Sequence, residues 1–111
     1  MFNALRQGAV FVVTGDEPLH VESVDVARAA LSTCLQKRQP KIVFDLEQIP
    51  LVDSAGLELL TSTRRECMRR GGVLQLARPN HLTADILRMT GLDGQFNIFD
   101  SVRAGVGSFA R

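Results

Sequence analysis

The sequence predicts an α/β fold: a single-layer, mixed but mostly parallel sheet of about four to five strands with about four helices, in the order β-β-α-β-α-β-α-β-α. Three observations carry that reading. Short runs rich in β-branched residues alternate with segments whose apolar residues recur at helical spacing. The run Ile42-Val43-Phe44 has no polar interruption, which suits a strand buried on both faces, as in a parallel sheet. Gly and Pro stand at the junctions, in Gly15-Asp16-Glu17-Pro18, Gln39-Pro40, Gly71-Gly72 and Arg78-Pro79.

Phe2 to Leu5 reads as a short first strand, and Gln7-Gly8 as the turn into Ala9 to Thr14, a β-branched second strand. The pair fits an antiparallel hairpin. A helix follows from about Glu22 to Lys37, with Val24, Ala27, Leu31, Cys34 and Leu35 on one face. Gln39-Pro40 ends it. Lys41 to Leu46 is the third strand. The Asp53-Ser54 step then opens a helix that runs to about Arg70, with Leu57, Leu60, Arg64 and Cys67 near one face and Met68 beside them. Gly71-Gly72 is its stop. Val73 to Ala77 reads as a strand and about His81 to Thr90 as a helix closed by Gly91. Phe96 to Phe99 is a last short strand. Asp100-Ser101 caps a final helix that Gly105 and Gly107 weaken by about 1 kcal/mol each relative to Ala.

The chain of 111 residues makes one domain, 1–111, large enough to bury a core without metal or disulfide staples. Its 13 basic and 12 acidic residues give a net charge of +1, so no electrostatic case for nucleic acid arises. With six Phe and no Trp or Tyr, a surface for stacking bases is not expected. Cys34 and Cys67 lack zinc-site spacing and read as two buried apolar residues in a reducing compartment. Met1 to Gly15 lacks the pattern of a secretory leader, and no apolar run is long enough to span a membrane. The expectation is a soluble, cytoplasmic protein without membrane insertion. It is monomeric when free, because no apolar stripe stands out.

Catalytic signatures are missing. There is no Gly-x-x-x-x-Gly-Lys loop and no Gly-x-Ser-x-Gly elbow, and Gly105-Val106-Gly107 lies past the last strand. His20 and His81 sit beside predicted turns and read as solvated polar residues. The expectation is a protein that is not an enzyme, with no metal site and no cofactor. Interest therefore falls on Asp53-Ser54. A hydroxyl at the mouth of a helix lies beside free backbone N–H groups and the positive end of the dipole. Ser54 or Asp53 could serve simply as the N-cap. Two polar side chains exceed what one cap requires, however, and the small Ala55 and Gly56 leave the hydroxyl uncovered. Small residues there also fit a close approach by another protein. Arg64, Arg65, Arg69 and Arg70 crowd the end of the same helix. They either complement its dipole on a solvated face or dock an acidic partner.

From Lys41 to Phe99 the chain resembles the anti-sigma-factor antagonists, the small bacterial members of the STAS fold (sulfate transporter and anti-sigma factor antagonist). The likeness rests on Val52-Asp53-Ser54-Ala55-Gly56-Leu57 after a strand, on Arg70-Gly71-Gly72 before Val73-Leu74-Gln75-Leu76, and on Ile86-Leu87-Arg88-Met89-Thr90-Gly91-Leu92. Gly15 fits the place of the family's early glycine. The resemblance implies a switch: Ser54 is phosphorylated by a partner that is both anti-sigma factor and serine kinase, the unmodified form binds that kinase, and a serine phosphatase resets it. It also implies that Asp53 helps the kinase handle the hydroxyl, and that Asp53, Ser54, Ala55, Gly56 and Leu57 meet the partner. The family's acidic residue after the second strand is replaced here by Gly15-Asp16-Glu17-Pro18-Leu19-His20, where Asp16 or Glu17 stands in for it. The resemblance leaves room for a different class, a non-switching STAS subunit of a bacterial lipid-transport ATPase that uses the second helix as a static dock.

Overall fold

The structure, a computed structural model, describes residues 1–110. Its centre is a five-stranded sheet in the spatial order β1 (Phe2–Gln7), β2 (Val10–Gly15), β3 (Lys41–Asp45), β4 (Val73–Ala77) and β5 (Ile98–Phe99). β1 and β2 form an antiparallel hairpin, and the other neighbours are parallel. The helices are α1 (Val24–Leu35), α2 (Ser54–Arg69), α3 (His81–Met89) and α4 (Val102–Gly107). The α/β architecture and element order expected from the sequence are those of the molecule.

One face of the sheet carries the main core. Leu31 of α1, Leu59 and Leu60 of α2 and Leu87 of α3 join Val13, Phe44 and Leu76 of the strands, all fully buried or nearly so. Each such side chain contributes about 1.5–3 kcal/mol of burial. The other face is covered by α4, whose Val102 and Val106 pack with Phe109 on Val10, Val43 and Ala77. This explains why β3 is apolar on both sides, since Ile42 and Phe44 face one layer and Val43 the other.

Some boundaries and one helix phase differ from expectation: Gln7, expected in the first turn, is the last residue of β1 and pairs with Val10. α1 ends at Leu35 rather than Lys37, with Gln39 at a φ of +52° just before Pro40. β5 is only Ile98–Phe99, because the Phe96 N–H donates to the Leu92 carbonyl at 3.2 Å and keeps that residue in a turn. The phase of α2 also differs. Its buried residues are Gly56, Leu59, Leu60, Thr63 and Cys67, while Leu57 is half-buried and Met68 is exposed.

Candidate functional site

Both loops at the carboxyl ends of β2 and β3 are sewn together. Leu19 and Val52 form an isolated parallel bridge. The Leu19 N–H donates to the Leu51 carbonyl at 2.8 Å, and the Asp53 N–H donates to the Leu19 carbonyl at 3.2 Å. Ser23 closes the first loop on itself: its hydroxyl donates to the Pro18 carbonyl at 2.6 Å and accepts from the His20 N–H at 3.2 Å. Asn80 fixes the second, donating to the Pro50 carbonyl at 3.2 Å while its side-chain oxygen caps α3 at the Thr83 N–H. Leu19, Ile49 and Val52 anchor the pair in the core.

On this platform Asp53 is the N-cap of α2. Its Oδ1 accepts from the Gly56 N–H at 3.0 Å and its Oδ2 from the Val21 N–H at 3.3 Å. The Gly56 bond, with smaller help from Val21, holds the carboxyl below the usual aspartate range, because N–H donors stabilise the anion. Ser54 is thereby relieved of the capping role that either residue was able to fill. It is the first residue of the helix, it is exposed, and its hydroxyl has no hydrogen-bond partner among the described residues. Exposed Val21 and Leu51 flank the turn. Sequence reasoning missed Leu19, Val21 and Leu51, since a lone Leu or Val in a loop has no periodicity to mark it.

Gly56 requires a correction. Its missing side chain is needed by this chain itself: a Cβ there would lie 2.3 Å from the Leu19 carbonyl oxygen and 2.8 Å from Val52 Cγ1. Gly56 is buried, so approach by another protein is not what selects glycine. Ala55 and Leu57 are half-buried beside Ser54. Asp16 and Glu17 are held elsewhere. Both accept from the amino group of Met1, and neither makes a hydrogen bond or ion pair to Asp53 or Ser54. Asp16 instead lines a polar cleft of about 290 Å³ with Asp45, Glu47 and Arg78, in which Arg78 forms a two-pronged bond to Asp45 at 3.2 and 2.7 Å. The arginine cluster of α2 is largely matched within the helix. Arg69 and Arg70 bind Glu66 at 2.9 and 2.7 Å, Arg65 lies 3.7 Å from Glu58, and Arg64 sits over the Phe96 ring.

The structure thus sets an exposed hydroxyl at the first turn of a helix, on two hydrogen-bonded loops at the carboxyl ends of parallel strands. A family model described as "STAS domain" matches residues 1–105, and the chain belongs to the STAS domain family. Comparison with curated proteins gives no match. Among solved structures, a putative anti-sigma factor antagonist from Thermotoga maritima superposes with a TM-score of 0.93 at 22% identity, covering 99% of this chain and 95% of that one. An anti-sigma factor antagonist from Mycobacterium paratuberculosis gives a TM-score of 0.88 at 19% identity, over 100% and 94%. The Bacillus cell fate determinant SpoIIAA in its phosphorylated form gives 0.75 at 20% identity, over 98% and 99%. At these identities the shared property is the STAS fold. No helix among the described residues is long and apolar enough to cross a membrane.

Proposed function

We propose that this protein is an anti-sigma-factor antagonist. In this reading it binds an anti-sigma factor with serine kinase activity while Ser54 is unmodified, leaves it on phosphorylation of Ser54, and is returned to the binding form by a serine phosphatase. The observation that carries the proposal is the division of labour between Asp53 and Ser54: the carboxylate caps the helix, and the hydroxyl stays exposed and unbonded. Support comes from the fold neighbours that bear the antagonist name and from SpoIIAA, which is described in both unphosphorylated and phosphorylated forms.

Charge drives the switch. A phosphate adds about −1.5 to −2 charges at neutral pH. The free N–H groups and dipole of α2 tolerate it locally, so the fold survives. A partner fitted to the neutral turn, resting on Val21, Leu51 and Ser54, meets a buried anion. Like charges 4 Å apart repel by about 4 kcal/mol at an effective dielectric of 20, and about 1.4 kcal/mol is already tenfold in affinity. Nothing in this scheme asks the protein for catalysis, and the nucleotide belongs to the kinase.

Calorimetric titration against an anti-sigma factor kinase tests the reading. Ser54→Ala binds it and is not released by ATP, Ser54→Asp fails to bind, and mass spectrometry finds the phosphate on Ser54 of the wild type. Equal affinity of the two variants refutes the switch.

A further inference from the structure

Five of the 13 cations of this chain meet at the end of the sheet opposite Ser54. There the β1–β2 turn, the α1–β3 corner and the end of α2 meet. Arg6, Lys37, Arg38 and Lys41 line a groove of about 380 Å³ whose apolar wall includes Phe11 and Pro40. A second groove, of about 290 Å³, adjoins it through Lys37, Arg38 and Gln39 and adds Arg70. Among the described residues no carboxylate lines either groove. Among the described residues Arg6, Lys37, Arg38 and Lys41 form no ion pair. In a chain with 13 basic and 12 acidic residues, this is segregation rather than excess. Complementing helix dipoles accounts for Lys37, Arg38 and Arg70, which follow α1 and α2. It does not account for Arg6 and Lys41, which stand on strands.

The site is preformed. The Gln39 N–H donates to the Arg70 carbonyl at 3.1 Å and the Val73 N–H to the Pro40 carbonyl at 2.9 Å, locking the two corners together. Gly72 sits so close that a Cβ there would be 2.0 Å from the Pro40 oxygen. Arg6 is held by its Nε bond to the Gly8 carbonyl at 3.1 Å and by the Phe11 ring, 5.5 Å from its guanidinium carbon. Such rigidity lowers the ordering cost of binding.

We infer that this basic end docks an acidic segment of a partner protein, at a site separate from the Ser54 turn. Two grooves that run into each other suit an extended chain bearing spaced carboxylates, to which Arg6, Lys37, Arg38 and Lys41 present donors without a competing internal anion, while Arg70 is shared with Glu66. Nucleic acid fits less well: Phe11 is the one ring in the lining and Arg6 covers it, so no base can stack there. A bilayer fits less well too, since a flat surface does not enter recessed grooves and the lining offers no protruding apolar anchor. Because α2 separates this end from its own first turn, an acidic partner stays bound whatever the state of Ser54.

The test is fluorescence anisotropy with a dye-labelled peptide of alternating Glu and Ser, in about 50 mM salt where screening is moderate. The wild type binds it at micromolar concentration and loses it as salt rises. The double variant Lys37→Glu/Arg38→Glu weakens binding at least about tenfold, whereas Ser54→Asp changes it less than about twofold. Circular dichroism confirms that the double variant is folded. If it is not, Arg6→Gln takes its place, with an expected loss of about threefold or more. No binding of the peptide, or equal binding by the groove variants, overturns the inference. So does tighter binding to phosphatidylserine-containing vesicles or to duplex DNA than to the peptide, since either assigns the surface to another class of partner.

Discussion

Asp53 Oδ2 accepts the backbone N–H of Val21, a residue 32 positions earlier in the chain. The same carboxylate caps α2 through Gly56, so one side chain fixes both the helix start and the loop beside it.

Removing that charge has a signature in pH. The folded-state pKa of Asp53 lies below its ordinary value of 3.8, chiefly through the Gly56 N–H. Its stabilising contribution is therefore complete above the unfolded-state value and disappears as pH falls through the depressed folded-state value. Asp53→Asn, which keeps an acceptor oxygen, is expected to differ from wild type by a constant amount near neutrality and to converge with it in acid. Asp53→Ala loses the cap as well and melts a few degrees lower at pH 7. Thermal melts from pH 2 to pH 7 on the three proteins decide it.

Gly56→Ala runs against helix propensity. Alanine favours a helix over glycine by about 1 kcal/mol, yet here its methyl collides with the Leu19 carbonyl. The clash wins, because backbone atoms have no rotamer to yield. Urea unfolding is expected to show a net loss of about 2–3 kcal/mol.

Leu19 and Ser54 lie close together around the same two loops and answer oppositely to truncation. Leu19 is fully buried, and Leu19→Ala should cost about 2–5 kcal/mol in a chemical denaturation series. Ser54→Ala should stay within about 0.5 kcal/mol of wild type, since the hydroxyl makes no bond that is lost.

The two thiols are shielded. Cys34 and Cys67 are free and buried, and burial pushes the Cys67 thiol up to about 12 and raises that of Cys34 as well. At pH 7.5 almost no thiolate is present, so an aromatic disulfide reagent should modify neither in the native protein and both in denaturant. Fast native modification of either one would contradict the packing of α1 on α2.

The sequence made the frame readable because its signals are local. The unbroken apolar run at Ile42–Phe44 marks a strand covered on both faces, and Asp53-Ser54 marks a helix start. What stayed hidden depends on partners distant in the chain. Leu57 and Leu59 are equally apolar, yet Leu59 lies in the core with Leu60 and Cys67 while Leu57 is half-covered, a choice made by the packing of α2 on the sheet and α1. Gly56 looked like room for a visitor because the Leu19 carbonyl that occupies that room belongs to another loop. Asp16 and Glu17 sit on a predicted turn, but nothing in their spacing indicates that they bind the Met1 amino group.

The joined corners at Pro40 and Gly72 have a consequence for proteolysis. Lys37, Arg38, Arg69 and Arg70 make this the part of the chain richest in trypsin cleavage sequences. A protease must draw several residues of extended backbone into its cleft, and here the Gln39 and Val73 amides are already bonded across the corner. The most basic end of the molecule is thus the one that digestion reaches only after the domain has come apart.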